Sequence, residues 1–278
     1  MVVKIVTDSS ADLPAQLAEE LDITVVPLYV RFGEEVYRER VDISEDEFYH
    51  KLLHDPSHPS TIQPSPQDFA KVYKKLSKEA DGIVSIHISN KLSGTCNSAL
   101  QGKEMVGNKC PIEVIDSRAV TMGLGLISMA AATVAKAGGS LQQVLEEAKQ
   151  TIPNIHMLGL FDTLKYLLLG GRIGKAKALV GSILNVKPMI TLKDGEVVPA
   201  GQARTRSKGI ERLVDFVKAA KIQDLAILHN TTPDEAQTLA ERIDPIFSKD
   251  QIKFATLGTT LGVHAGPGVL IVAFREKE

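Results

Sequence analysis

Residues able to hold an anion recur where apolar runs end. The segments "IVTDSS" (5–10), "SIHISNKLSGT" (85–95) and "VIDS" (114–117) each pass from a buried-strand composition into hydroxyls. In a parallel α/β sheet such strand ends share one edge, and ligands bind in the crevice there. Helix N-termini on that edge offer free N–H groups and partial positive charge, which suits an anion. Ser93 and Thr95 lack the acid three residues on that other helix starts carry, and Gly94 between them permits close approach to the backbone. An ordinary helix cap explains Ser93 equally well.

Three other stretches carry candidate groups. In "HPSTIQPSPQDF" (58–69), Pro59, Pro64 and Pro66 stiffen a loop and place Thr61 on an extended segment before a helix, although a plain solvent loop has the same composition. In the glycine-rich "GTTLGVHAGPG" (258–268), His264 can donate a hydrogen bond to a carboxylate, act as a base, or be structural. In "GGRIGKAK" (170–177), glycines allow a bend that aims Arg172 at an anion. That stretch is no P-loop, because only Gly171, Arg172 and Ile173 separate Gly170 from Gly174-Lys175, and Ala176 follows. Arg204 and Arg206 precede a helical pattern, where cations oppose the helix dipole and fit either a negatively charged partner or a solvated surface. His87 lies inside an apolar run and reads as a satisfied core residue. There is no H-E-x-x-H, paired C-x-x-C or G-x-S-x-G.

The elements that must position these groups alternate. Strand-like runs at 2–6, 23–30, 82–88 and 112–115 are separated by helical patterns at 11–21, 45–53, 66–80, 95–106 and 120–138. This predicts βαβ units and a Rossmann-like parallel sheet covered on both faces. Ser9 with Asp12, Ser44 with Glu47, Ser65 with Asp68 and Thr232 with Glu235 have capping-box spacing, and Pro66 falls at a first helical position. The second half begins with "MLGLFD" and a helix over 163–184 broken at Gly170-Gly171. A hairpin over 187–201 turns at Asp194-Gly195, and two helices and three strands follow. An N-terminal α/β domain at 1–155 and a C-terminal α+β domain with a mixed sheet at 156–278 are expected.

With 278 residues, 44% of them hydrophobic, the chain can bury a large core. A net charge of -2 and the absence of Trp argue against a nucleic-acid partner. Cys96 and Cys110 have no metal spacing and make no disulfide framework, which predicts a reduced, cytoplasmic protein. The uncharged run between Arg118 and Lys136 is short for a membrane span and rich in Ala, Gly and Ser, so a buried helix and no stable membrane insertion are expected.

Seven ordered segments resemble the DegV family of bacterial fatty-acid-binding proteins. They are "VTDSSADLP" (6–14), "PSTIQPSPQDF" (59–69), "ISNKLSGT" (88–95), "VIDSRAVTMGLG" (114–125), "GGRIG" (170–174), "KPMITLKDGEVVPAGQARTR" (187–206) and "VHAGPGVL" (263–270). The resemblance implies a two-domain fold with a long-chain fatty acid between the domains and no other cofactor. It implies a carboxylate held by Thr61 and Ser93, with Gly94 and Thr95 in the same turn, and with His264 and Arg172 around the head group. It also implies a separate ATP-dependent fatty acid kinase that makes an acyl phosphate for phospholipid synthesis, docking at Arg204 and Arg206. A monomer is expected. Ile62 stands where the family commonly has serine, and Cys96 where an aromatic is usual, which bears on chain-length preference. Two enzymatic alternatives stay open. One is an acyl-transfer enzyme with Ser93 as nucleophile and His264 as base. The other is a small-ketone or sugar enzyme, since the fold of the family resembles the dihydroxyacetone kinase substrate domain.

Overall fold

The computed structural model describes residues 1–107, 110–179 and 186–277. The first half runs β1 (Val3–Asp8), α1 (Ala15–Glu20), β2 (Ile23–Val26), β3 (Tyr29–Phe32), β4 (Glu35–Arg38), α2 (Glu45–His54) and β5 (Ser60–Ile62). It continues with α3 (Pro66–Leu76), β6 (Gly82–His87), α4 (Thr95–Glu104), β7 (Ile112–Asp116), α5 (Thr121–Lys136) and α6 (Leu141–Thr151). The second half runs β8 (Ile155–Leu160), α7 (Lys165–Leu169), β9 (Lys187–Lys193), β10 (Glu196–Ala203) and α8 (Arg206–Lys218). It closes with β11 (Ile222–His229), α9 (Pro233–Ile243), β12 (Lys253–Thr256), α10 (Thr259–Ala265) and β13 (Leu270–Glu276).

The expected parallel sheet is present, in the order β2-β1-β6-β7, with all three pairings parallel. The second sheet, β10-β9-β8-β13-β11-β12, is mixed, since β11 and β12 pair in parallel while β13 runs antiparallel to β11 and β8. The hairpin turn falls at Asp194-Gly195, both at positive φ (52° and 78°), as a primed turn requires.

A third sheet, β4-β3-β5, departs from the sequence reading. The run 23–30 is not one strand. Pro27 has no N–H for the ladder, so β2 ends at Val26 and the chain re-enters as β3 in a different sheet. This small antiparallel sheet carries Thr61, paired with Val30. Helix α1 is also shorter than its pattern, because Leu13 precedes Pro14 and is steered away from helical backbone. Helix α6 was not foreseen, although Ser140 and Gln143 form a complete capping box at its start. The broken helix over 163–184 resolves into α7, a turn with Gly171 at φ 69° and a 3-10 segment at Gly174–Leu179. The part of that pattern at 180–184 lies outside the described residues.

Only two of the four capping pairs cap. Ser44 accepts from Glu47 N–H, and Ser65 with Asp68 forms the full reciprocal box with Pro66 at the first turn. Ser9 instead donates to the Glu39 carboxylate, and Asp12 is turned inward. Thr232 makes no capping bond, and Glu235 binds Arg206.

Helix α5 explains the uncharged stretch. Eleven of its residues are buried, and its core cluster joins Ile5 and Val84 of the parallel sheet to Met157 and Ile271 of the mixed one. A Cβ on Gly123 would sit 2.4 Å from Met157 Sδ, so a small residue there is what lets the second sheet close on the helix. Among the described residues no helix is long and apolar enough to cross a membrane.

Candidate functional site

One cavity lies where the two main sheets and the small sheet meet. It holds about 1000 Å³ of atom-free space, mouth included, and its lining includes Thr61, Ser93, Arg172 and His264. Four separate segments of the chain deliver these groups. Thr61 comes from β5, Ser93 from the turn that opens α4, and Arg172 and His264 from the second half, after α7 and on the last turn of α10. The rest of the wall is largely aliphatic, with Leu28, Ile88, Met157, Phe161, Ile190 and Leu261 prominent.

Thr61 Oγ1 and His264 Nε2 are 3.0 Å apart, a contact between the two halves at the polar end. The other ring nitrogen, Nδ1, is buried without a partner. Burial first, then Arg172 and His58, hold the imidazole down at about 4, so it is neutral near pH 7. When Thr61 donates to Nε2, the ring proton sits on Nδ1, a donor with nothing to bind inside the protein. Gly170 makes room for it, since a Cβ there would lie 2.0 Å from Nδ1. Arg172 braces the same corner, its Nη1 donating to Gly170 O at 2.8 Å and its Nε to Leu92 O at 3.2 Å.

The hydroxyls of 88–98 divide by task. Ser93 Oγ lies 2.8 Å from Thr95 Oγ1, and Thr95 is fully buried behind it, outside the cavity wall. Ser89 donates to Gly195 O and pins the β9–β10 turn, and Ser98 accepts from Gln63. Gly94 is the N-cap of α4, and its bare face is filled by protein, since a Cβ would meet Gln63 Oε1 at 2.4 Å. Gln63, in the cavity wall, was not singled out from sequence. Ile62 is 38% exposed and outside the wall, while Cys96 is buried with its thiol pushed up to about 11 by desolvation. Ser93 bonds to Thr95 and His264 to Thr61, so the nucleophile–base pair of the acyl-transfer alternative is not formed. His87 is the satisfied core residue expected, bonded to Asp8 at Nδ1 and Ser85 at Nε2.

A second group was invisible in sequence. At the first turn of α10, Gly258 N–H donates to Asp12 (2.9 Å) and Thr260 N–H to Glu39 (2.7 Å). Both carboxylates are buried, and they converge so closely that a Cβ on Gly258 would sit 2.4 Å from Glu39 Oε1. Burial pushes Asp12 up to about 7, against the pull of Arg40 3.6 Å away. These residues of the first half thereby fix the helix that carries His264.

Arg204 and Arg206 lie apart from the cavity lining. Arg204 is exposed. Arg206 is engaged, donating to Glu235 from Nε and Nη2 and to Gly268 O from Nη1 at 2.7 Å. Among the described residues no cluster of three metal-ligating side chains could hold a metal ion.

The family model described as "Uncharacterised protein, DegV family" matches residues 2–277. A DegV domain-containing protein of Caldanaerobacter subterraneus is 35% identical over 279 residues, with 99% of each chain covered. The solved fatty-acid-binding DegV family protein of Thermus thermophilus is 33% identical and superimposes with a TM-score of 0.93 over 100% of both chains. Bacillus subtilis DegV, solved as a fatty acid binding protein, is 29% identical with a TM-score of 0.89, again over 100% of both chains. The chain belongs to the DegV family.

Proposed function

We propose that this protein holds one long-chain fatty acid in the cavity between residues 1–155 and 156–278, its carboxylate at the Thr61–His264 pair and its chain along the aliphatic wall. The observation that carries this is the unpartnered His264 Nδ1 at the polar end of an otherwise apolar pocket. A carboxylate there accepts from His264 Nδ1–H and from the Ser93 hydroxyl, while Thr61 donates to His264 Nε2 and holds the ring in that tautomer, with the Arg172 charge nearby. Burying some fourteen methylenes supplies roughly 11 kcal/mol at about 0.8 kcal/mol each, before association costs. The tail therefore supplies affinity, and the polar end orients the head and limits its desolvation cost.

The protein is then a carrier and not a catalyst, and its cytoplasmic partner is a separate ATP-dependent kinase that converts the carboxylate to an acyl phosphate for phospholipid synthesis. A closed apolar sleeve protects that anhydride from water. Exposed Arg204 suits docking to such a partner, while Arg206, tied to Glu235 and Gly268, shapes the surface beneath it. Denaturing the purified protein, extracting with organic solvent and analysing by mass spectrometry tests the reading. The expected result is about one fatty acid per chain, lost or much reduced in Thr61→Ala/Ser93→Ala. A wild-type protein that emerges empty and also refuses added long-chain acids overturns it.

A further inference from the structure

The apolar stretch of the cavity wall contains hydroxyls, and all but one are spent within the protein. Thr121 donates to Asp12 and Thr191 to the Met157 carbonyl, each at 2.6 Å. Thr260 lines the same cavity and is 3% exposed, yet its Oγ1 is buried with no partner. Three hydroxyls inside helices return their proton to the carbonyl four residues back, Ser128 to Leu124, Thr133 to Met129 and Thr238 to Asp234. Thr260 has no such outlet. Four residues back is Thr256, the last residue of β12, whose carbonyl accepts from Arg40 instead. The neighbouring Thr259 uses Glu39.

We propose that Thr260 is a specificity residue for an acyl chain bearing an oxygen substituent near its carboxyl end, a hydroxy or oxo fatty acid. This rests on the fatty-acid reading of the cavity. Thr260 and His264 are four residues apart on one face of α10, one turn or about 5.4 Å along the axis. With the carboxylate at His264, the part of the chain that passes Thr260 belongs to its carboxyl-proximal third. A methylene there leaves the buried hydroxyl unpaired, whereas an oxygen on the chain satisfies it, and threonine serves as donor or acceptor alike. Sites with a buried polar group discriminate strongly against ligands that leave it unpaired.

Competition binding on the full chain tests this with three ligands: hexadecanoic acid, the same acid hydroxylated near its carboxyl end, and the isomer hydroxylated near its methyl end. The wild type is expected to prefer the carboxyl-proximal hydroxy acid over the plain acid by about tenfold. Thr260→Val, which keeps the shape and the backbone bond to Glu39, is expected to abolish that preference and bind the plain acid more tightly. Thr260→Ser is expected to retain it. An identical ratio in wild type and Thr260→Val, or tighter binding of the plain acid by both, overturns the proposal while leaving the fatty-acid reading standing. Failure of all three ligands to bind overturns both.

Discussion

At the first turn of α10, both buried carboxylates have their donors. Asp12 receives Gly258 N–H and the Thr121 hydroxyl, and Glu39 receives Thr260 N–H and the hydroxyls of Ser9 and Thr259. At its last turn, His264 bonds to Thr61 with one nitrogen and leaves the other buried and bare. The same short helix thus joins a completed network to an incomplete one. A completed network of buried charges fixes structure. An incomplete one costs free energy in the folded protein and is relieved when a ligand supplies the missing partner.

The largest expected effect comes from breaking the completed end. Glu39→Ala leaves Thr260 N–H and two hydroxyls without their acceptor, and should lower unfolding free energy by about 3 kcal/mol in urea denaturation. A loss below about 1 kcal/mol would mean that the carboxylate is not holding the helix. Crowding the incomplete end should act differently. Gly170 has φ −77°, so its backbone accepts alanine, but the added Cβ would lie 2.0 Å from His264 Nδ1. Gly170→Ala should weaken long-chain fatty-acid binding by about thirtyfold, close to 2 kcal/mol, through displacement of the ring. Fluorescent-ligand displacement reads this directly, and unchanged affinity would move the head-group site away from His264.

The two ends also differed in how legible they were. Thr61, Ser93, Arg172 and His264 stand out because a polar residue among glycines, prolines or strand ends has few local uses. Asp12 and Glu39 do not stand out, because the groups that need them are 246 and 221 positions away in the chain. Local spacing was even misleading for Asp12. Ser9–Asp12 and Thr232–Glu235 carry the same capping pattern as Ser65–Asp68, yet only the last is a capping box. In the other two the acid is claimed by a distant partner, Gly258 for Asp12 and Arg206 for Glu235. The alternation of strands and helices gave away both main sheets, since hydrophobic period is a local property. The small sheet escaped because β4 and β5 are short and mostly exposed, and because Pro27 divides what reads as one apolar run.

The smallest expected effect separates the two ends by pH. Burial, opposed by Arg40 and reinforced by Glu39, holds Asp12 at about 7 against 3.8 ordinarily, so the folded state binds that proton more tightly than the unfolded chain does. Its contribution to stability is complete below about pH 4 and is lost as pH rises through 7. His264 is the reverse, with burial, Arg172 and His58 holding it at about 4 against 6.5 ordinarily. Its contribution is complete above about pH 6.5 and is lost as pH falls through 4. Between about pH 4 and 6.5 the two oppose each other, so urea denaturation of the ligand-free wild type should show them largely offset across that interval. Asp12→Asn should unmask the His264 decline as pH falls from about 6.5 to 4, and His264→Gln the Asp12 decline as pH rises from about 4 to 7. Loading Asp12→Asn with a long-chain fatty acid should shrink the acid decline it shows, because a carboxylate beside His264 favours its protonated form. If the ligand left that decline unchanged, the bare end of α10 would not be where the carboxylate sits.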